Sequence, residues 1–92
     1  MTKELIKEKT ASLDTILENH SIVLFNDDVN TFDHVINSLV KYCDHSSVQA
    51  EQCAHIVHYN GKCQVKTGNI NKLKPICSAL LDKGLSAEIT KN

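Results

Sequence analysis

The feature that most constrains the fold is a short apolar run that stops abruptly at three polar residues. Residues 21–25, Ser-Ile-Val-Leu-Phe, form a compact β-branched and aliphatic segment. Such runs are typical of buried strands, whereas the following Asn26, Asp27 and Asp28 disfavour a strand. Asn and Asp side chains bond neighbouring backbone groups and stabilise turns. The pattern predicts a buried first strand followed by an acidic turn.

The clearest helix follows this turn, because apolar residues recur at spacings of three and four. Asn30 or Thr31 can cap it, and Asp33 lies in its first turn, where a negative charge favours the helix dipole. The predicted apolar face consists of Phe32, Val35, Ile36, Leu39, Val40 and Cys43.

A second helix is predicted from Ser46 to about Tyr59. Ser46 and Gln49 have the spacing of a capping box, which marks a helix start. We expect the inner face of this helix to hold Val48, Cys53, Ile56 and Val57.

The last third of the chain predicts a strand, a helix and a strand. Residues 63–67 and 85–90 alternate between apolar and polar side chains, as half-exposed strands do. Residues 70–81 show a third helical face, which Gly84 is placed to stop. Pro75 must lie in the first turn of that helix or kink it, because further in it removes a backbone hydrogen bond.

The resulting element order is strand, helix, helix, strand, helix, strand. It predicts an α+β domain, a single three-stranded antiparallel sheet with three helices on one face (βααβαβ). The chain has 92 residues, which suits one small domain. We assign residues 20–92 to it and expect residues 1–19, rich in Lys and Glu, to be a flexible N-terminal extension.

The composition excludes several classes of function. The formal net charge is -1, and such a near-neutral chain gives no electrostatic case for non-specific nucleic-acid binding, which needs a basic face. No apolar run approaches the roughly 20 residues of a membrane span. The charged N-terminus does not resemble a signal peptide, so a cytoplasmic location is expected. We also expect the protein to be a monomer. Four cysteines without a CxxC pair are expected to be reduced, mostly buried thiols: Cys43, Cys53, Cys63 and Cys77.

The turn at Asn26-Asp27-Asp28 has two interpretations. It is either a solvated structural turn or an acceptor-rich rim that recognises a cation. A protein's α-ammonium group suits such a rim, since it has three donors and is charged near neutral pH. A metal at Asp27 and Asp28 is less favoured, because no EF-hand spacing follows.

His58 is a second candidate, either as an ordinary helix histidine or as a hydrogen-bond acceptor. Glu51 and His55 fall on the same helix stripe, so a transition-metal module that also uses cysteines is an alternative. The sequence has no serine elbow and no phosphate-binding glycine loop. We therefore expect neither an enzyme nor a resident cofactor.

Two blocks together resemble the ClpS family, the adaptors of the Clp protease. They are VLFNDDVNTFDHVI at residues 23–36 and AEQCAHIVHYNGK at residues 50–62, and their separation is that of the family. The resemblance covers residues 21–90. It implies a core similar to the C-terminal domain of the ribosomal stalk protein.

The resemblance also implies a function. ClpS proteins bind substrates whose N-terminal residue is bulky and destabilising, typically Leu, Phe, Tyr or Trp. They deliver these substrates to an AAA+ unfoldase of the ClpA type, which feeds the protease ClpP. A flexible N-terminal extension takes part in delivery. A plain interaction domain without an amine pocket remains an alternative.

Matched position by position, the resemblance implies site residues. Asn26, Asp27 and His58 correspond to the residues that bind the substrate amine, with Asp28 and Asn30 on the rim. Lys74 corresponds to a lysine facing the unfoldase. The side-chain pocket is matched by Phe32, Val35, Ala54, Val57 and Leu85.

The chain departs from the family pattern at several positions. Asn30 and Thr31 replace the common Thr-Pro, while Phe32 and Ala54 replace frequent methionines. Ala54 is expected to enlarge the pocket, and Phe32 to offset this. Residues 66–74 form a shorter segment than usual and lack its acidic residue.

Overall fold

The computed structural model describes residues 20–92. The predicted extension over residues 1–19 lies outside the described residues. The element order confirms the predicted βααβαβ fold. The elements are β1 (His20–Phe25), α1 (Phe32–Cys43), α2 (Ser47–Asn60), β2 (Lys62–Gly68), α3 (Ile70–Asp82) and β3 (Ser86–Lys91).

The sheet is antiparallel and has β1 in its centre, with the strand order β2-β1-β3. Leu24 of β1 lies opposite Cys63 of β2 and Ala87 of β3. Because side chains alternate between the two faces of a strand, Ile22 and Leu24 point to the same side. Both are almost completely buried, which shows that the helices cover this face. The first predicted strand is therefore the central strand of the sheet.

A β-bulge in β2 changes the alternation that the sequence predicted. Val23 pairs with Gln64 while Ile22 pairs with Lys66, so Val65 is the extra residue. Val65 is buried, and the Lys66 Nζ atom reaches inward to donate to the Cys43 carbonyl at 3.3 Å. Beyond the bulge Thr67 is exposed, although it follows Cys63 and Val65 at alternate positions of the strand.

The core is built from the inner face of the sheet and one stripe of each helix. Its largest fully buried apolar side chains are Ile22, Leu24, Leu39, Leu73 and Leu80. At the edges of the predicted helical faces, Val40 and Leu81 are 39% and 51% exposed. Within residues 20–92, each helix is too short or too polar to span a lipid bilayer.

Side-chain caps fix where the helices begin. The Thr31 hydroxyl accepts from the His34 backbone N–H at 3.2 Å, so Thr31 rather than Asn30 caps α1. Ser46 caps α2 as predicted. Gly84 follows α3 with a φ of 83°, in the left-handed region that glycine tolerates, and so confirms the predicted stop.

The predicted inner face of α2 is partly wrong. Val48 and Ile56 are 66% and 42% exposed. The buried stripe instead follows the spacing i, i+3, i+4, i+7, with Ala50, Cys53, Ala54 and Val57. The prediction followed the large apolar side chains and so chose the wrong face. The stripe of α2 that packs against the rest of the domain consists mainly of small residues.

Pro75 does not lie in the first turn of α3, which was one of its two predicted positions. It lies inside α3, five residues after Ile70, the first helical residue. Because proline has no backbone N–H, the carbonyl of Asn71, four residues earlier, has no helical donor at this point.

Candidate functional site

A pocket of about 240 Å³ opens where β1 ends. Its wall combines the loop after β1, the beginning of α1, the second half of α2 and the residue before β3. It brings together all ten residues that were predicted to bind an amine or an apolar side chain. They are Asn26, Asp27, Asp28, Asn30, Phe32, Val35, Ala54, Val57, His58 and Leu85.

Gly61 joins the two sequence blocks at this pocket. Its carbonyl accepts from the Asn26 backbone N–H at 2.8 Å, and its own N–H donates to the Val57 carbonyl at 2.9 Å. Gly61 has a φ of 91°, so it can end α2 and turn directly into β2. This turn fixes the end of β1 beside the last turn of α2, where His58 lies.

The acidic loop is held by the Asp27 carboxylate. Oδ1 accepts from the backbone N–H groups of Val29 at 3.0 Å and Asn30 at 2.9 Å. Oδ2 accepts from the Asn30 side-chain amide at 2.7 Å. These bonds are those of an Asx-type turn, and they fix the loop on one side of the pocket.

Asn30 extends the same network to the other end of the chain. Its side-chain amide also donates to the Gly84 carbonyl at 2.9 Å, next to the pocket residue Leu85. The backbone N–H of Asn30 is the main reason that the pKa of Asp27 lies below its usual value. The Asn30 side chain, the Val29 N–H and the Ser86 hydroxyl act in the same direction. Asp27 is therefore ionised at neutral pH and supplies a fixed negative charge beside the pocket.

The rim has two further polar side chains with free hydrogen-bonding capacity. Asn26 and His58 are both exposed, and neither side chain bonds to another group within residues 20–92. An amide oxygen and a neutral imidazole nitrogen can each accept a hydrogen bond. Together with the charge on Asp27, they form a rim suited to a small cation with several N–H donors.

The floor of the pocket is apolar. Ala54, Val57 and Leu85 are 3%, 5% and 3% exposed, and Val35 is half-buried. The sequence analysis missed three lining residues: Leu24, Phe25 and Thr31. Leu24 could have been found, because it lies in the predicted first strand only two residues before Asn26.

Phe32 lies between the pocket and the outer surface of α2. It is 39% exposed, and its ring centroid lies 5.1 Å from those of both His55 and His58. This places it at the mouth of the pocket.

Other predicted residues lie away from this site. Lys74 is exposed on α3 and does not line the pocket. Glu51, His55 and His58 share a helix, yet within residues 20–92 no three His, Cys, Asp or Glu side chains are placed to hold a metal ion. The structure gives the metal-module alternative no support.

The cysteines are free thiols, of which Cys43, Cys53 and Cys77 are buried and Cys63 is half-buried. Burial raises the pKa of Cys43 to about 11 and that of Cys53 to about 12. Burial also raises the pKa of Cys77. These buried thiols act as small apolar groups of the core, as predicted.

Residues 17–88 match the model of a protein family described as the ATP-dependent Clp protease adaptor protein ClpS. This chain belongs to the ClpS family. It is also 35% identical over 69 residues to the ATP-dependent Clp protease adapter protein ClpS of Thermosynechococcus vestitus, an alignment covering 74% of this chain and 73% of the relative. Members of the ClpS family are adaptors of the Clp protease.

A solved ClpS structure shares the fold. Agrobacterium tumefaciens ClpS2 bound to L-phenylalaninamide superimposes with a TM-score of 0.76, at 16% sequence identity. The match covers 79% of this chain and 95% of that chain. The βααβαβ domain is thus the ClpS fold.

Proposed function

We propose that this chain binds proteins with a bulky apolar N-terminal residue, such as Leu, Phe, Tyr or Trp, and delivers them for degradation. The observation that carries the proposal is the composition of one pocket. Asn26, Asp27 and His58 form a polar, negatively charged rim directly above an apolar floor. A free protein N-terminus presents the matching groups, an ammonium and a side chain, on a single Cα atom.

The related structure supports this chemistry. The ligand bound by Agrobacterium tumefaciens ClpS2 is L-phenylalaninamide, which has a free α-amine and an aromatic side chain. The carboxyl end of that ligand is an amide, like the peptide bond that follows the first residue of a protein. We assign the same ligand class to the pocket of this chain.

The two halves of the pocket must act together. Burial of a Leu or Phe side chain contributes about 1.5–3 kcal/mol. A hydrogen bond to a charged group contributes about 1.5–3 kcal/mol. Since association itself costs several kcal/mol, neither half alone gives tight binding. A β-branched first residue fits less well, because its bulk lies close to the backbone.

In this proposal Asn26 and His58 accept hydrogen bonds from the amine, and Asp27 contributes mainly charge. Three loop donors already occupy the Asp27 carboxylate, so its contact with the ammonium is through water or through its remaining lone pairs. Asp28 and Asn30 complete the rim.

Delivery requires a second surface. We assign the partner to an AAA+ unfoldase of the ClpA type acting with ClpP, and Lys74 on α3 to the surface that faces it. The N-terminal segment, residues 1–19, is assigned to substrate transfer. Deletion of residues 1–18 is then expected to preserve peptide binding and to impair degradation by the reconstituted unfoldase and protease. Loss of peptide binding after this deletion would instead place the segment in the fold.

Nuclear magnetic resonance with two small ligands tests the pocket assignment. L-Phenylalaninamide is expected to shift backbone resonances of the β1–α1 loop and of residues 54–61, while N-acetyl-L-phenylalaninamide leaves them unchanged. Asn26→Ala is expected to weaken the response to L-phenylalaninamide, because it removes an acceptor for the amine. Asn71→Ala, on the exposed surface of α3, is the matched control. Shifts of equal size with both ligands would refute an amine site.

A further inference from the structure

Three exposed rings form a continuous surface beside the pocket. We call Phe32, His55 and Tyr59 the aromatic ledge. The Phe32 and His55 ring centroids lie 5.1 Å apart, and the His55 and Tyr59 rings are parallel within 4° at 6.2 Å. Tyr59 is 77% exposed, so most of its surface is open to a ligand.

The aromatic ledge is continuous with the pocket. Phe32 lines the pocket and also contacts His55. His58, which lines the pocket as well, packs edge-on against Tyr59 with centroids 4.9 Å apart. A ligand group that lies just outside the pocket, next to Phe32, is therefore in contact with the aromatic ledge.

The length of a peptide unit sets what can reach the ledge. Successive Cα atoms of a peptide are 3.80 Å apart. When the first side chain fills the pocket and the amine is at the rim, the second residue stands just outside the mouth. The pocket wall that it leaves includes Phe32, which is the member of the aromatic ledge that lines the pocket.

We infer that the aromatic ledge binds the side chain of the ligand's second residue and favours an aromatic one. This inference rests on the proposed function, since it needs an N-terminal peptide in the pocket. Aromatic rings prefer offset or edge-to-face partners, and the ledge presents both a ring face and ring edges. A second residue without a side chain leaves these rings in water.

This surface differs from the other exposed apolar residues of the domain. Single exposed apolar side chains are normal and need no explanation. Val29 and Val48 are 88% and 66% exposed, and neither lies in a ring cluster. The three rings of the ledge, in contrast, lie against one another, and one of them, Phe32, lines the pocket.

Peptides that share a first residue test the inference. Free Leu-Phe, Leu-Ala and acetylated Leu-Phe peptides are titrated against the unaltered chain, the double variant His55→Ala/Tyr59→Ala, and Val48→Ala. The unaltered chain is expected to bind Leu-Phe about two- to tenfold more tightly than Leu-Ala. The double variant is expected to lose this preference, so that it binds Leu-Phe and Leu-Ala with equal affinity, whereas Val48→Ala is expected to keep the preference.

Equal binding of Leu-Phe and Leu-Ala by the unaltered chain would overturn the inference, as would a preference that persists in the double variant. Acetylated Leu-Phe that binds as tightly as the free peptide would instead overturn the amine site beneath it. Both substituted residues are exposed, so the double variant is expected to be as stable as the unaltered chain. Matching urea denaturation curves verify this.

Discussion

Asp27 and Asn30 bind each other twice within one loop. The Asn30 backbone N–H donates to Asp27 Oδ1 at 2.9 Å, and the Asn30 side-chain amide donates to Oδ2 at 2.7 Å. The same amide reaches the Gly84 carbonyl. One pair of residues thus positions the acidic border of the pocket and ties it to the segment that supplies Leu85.

Replacement of Asn30 tests this tie. Asn30→Ala removes the side-chain amide that donates to Asp27 Oδ2 and to the Gly84 carbonyl, while the backbone N–H donor to Asp27 Oδ1 remains. This variant is expected to lower the free energy of unfolding by about 1–2 kcal/mol. Urea denaturation measures the change. Asn37→Ala is the control, because Asn37 is exposed within α1 and alanine favours a helix. Equal stability of the Asn30→Ala variant and the unaltered chain would contradict the bridging role.

The lowered pKa of Asp27 predicts a pH dependence of stability. A carboxyl whose folded pKa lies below its unfolded value stabilises the fold above the unfolded value, and this contribution is lost as the pH falls through the folded pKa. Asp27→Asn is therefore expected to cost about 1 kcal/mol at pH 7, a figure reduced for partial exposure.

The difference between the unaltered chain and Asp27→Asn is expected to shrink below about pH 4. Asp28→Asn is the control, because Asp28 is exposed and accepts no hydrogen bond within residues 20–92. A destabilisation by Asp27→Asn that stays constant from pH 7 to pH 3 would contradict the account.

Gly61 is predicted to be intolerant of a side chain for a conformational reason alone. A Cβ atom built there meets nothing within 4 Å, but φ is 91°. Gly61→Ala is expected to cost about 1–2 kcal/mol in urea denaturation. Gly68→Ala is the matched control, since its Cβ makes only ordinary contacts at 3.7 Å with Leu73 and Lys72. Similar stability of both variants would argue against strain at Gly61.

His58 is predicted to make peptide binding pH-dependent. Imidazole groups gain a proton between pH 8 and 5, and a protonated ring neither accepts from an ammonium nor attracts it. Asp27 remains ionised in this range, since its pKa is lowered. Affinity for a free Leu-Ala peptide is expected to fall several-fold from pH 7.5 to 5.5.

In the His58→Ala variant the same peptide is expected to bind about tenfold more weakly, with a flat pH profile. Gln52→Ala, exposed on the same helix and outside the pocket, controls for the loss of a surface side chain. Repeating the titration with His55→Ala distinguishes the contribution of His55, which lies near the mouth of the pocket, from that of His58. A flat profile in the unaltered chain would rule out His58 as an acceptor.

Much of the fold followed from periodicity and caps. The strand at residues 21–25, the start of α1 and the capping box at Ser46 were predicted because each depends on neighbouring residues. The buried face of α2 was not, because Ala50 and Ala54 are buried by close packing while the more apolar Val48 and Ile56 remain exposed. The bulge at Val65 depends on pairing with β1, which the sequence of β2 alone does not specify.

The residues of the site were predicted through the family resemblance, and the pocket brings them together. The bonding of Asp27 was not foreseen. Its three donors come from Val29 and Asn30, and only the conformation of the loop decides whether a carboxylate turns inward to the backbone or outward to a ligand. Lys74 lies outside the pocket, and its predicted role depends on a partner surface.

The central claim is that one pocket recognises a free amine and a bulky side chain of the same residue together. Calorimetric titration with four peptides of otherwise identical sequence tests it: Phe-starting and Gly-starting, each free and acetylated. The account predicts that only the free Phe peptide binds tightly, and that acetylation or the change to Gly each weakens binding at least about tenfold. Equal affinities for the free and acetylated Phe peptides would contradict the claim.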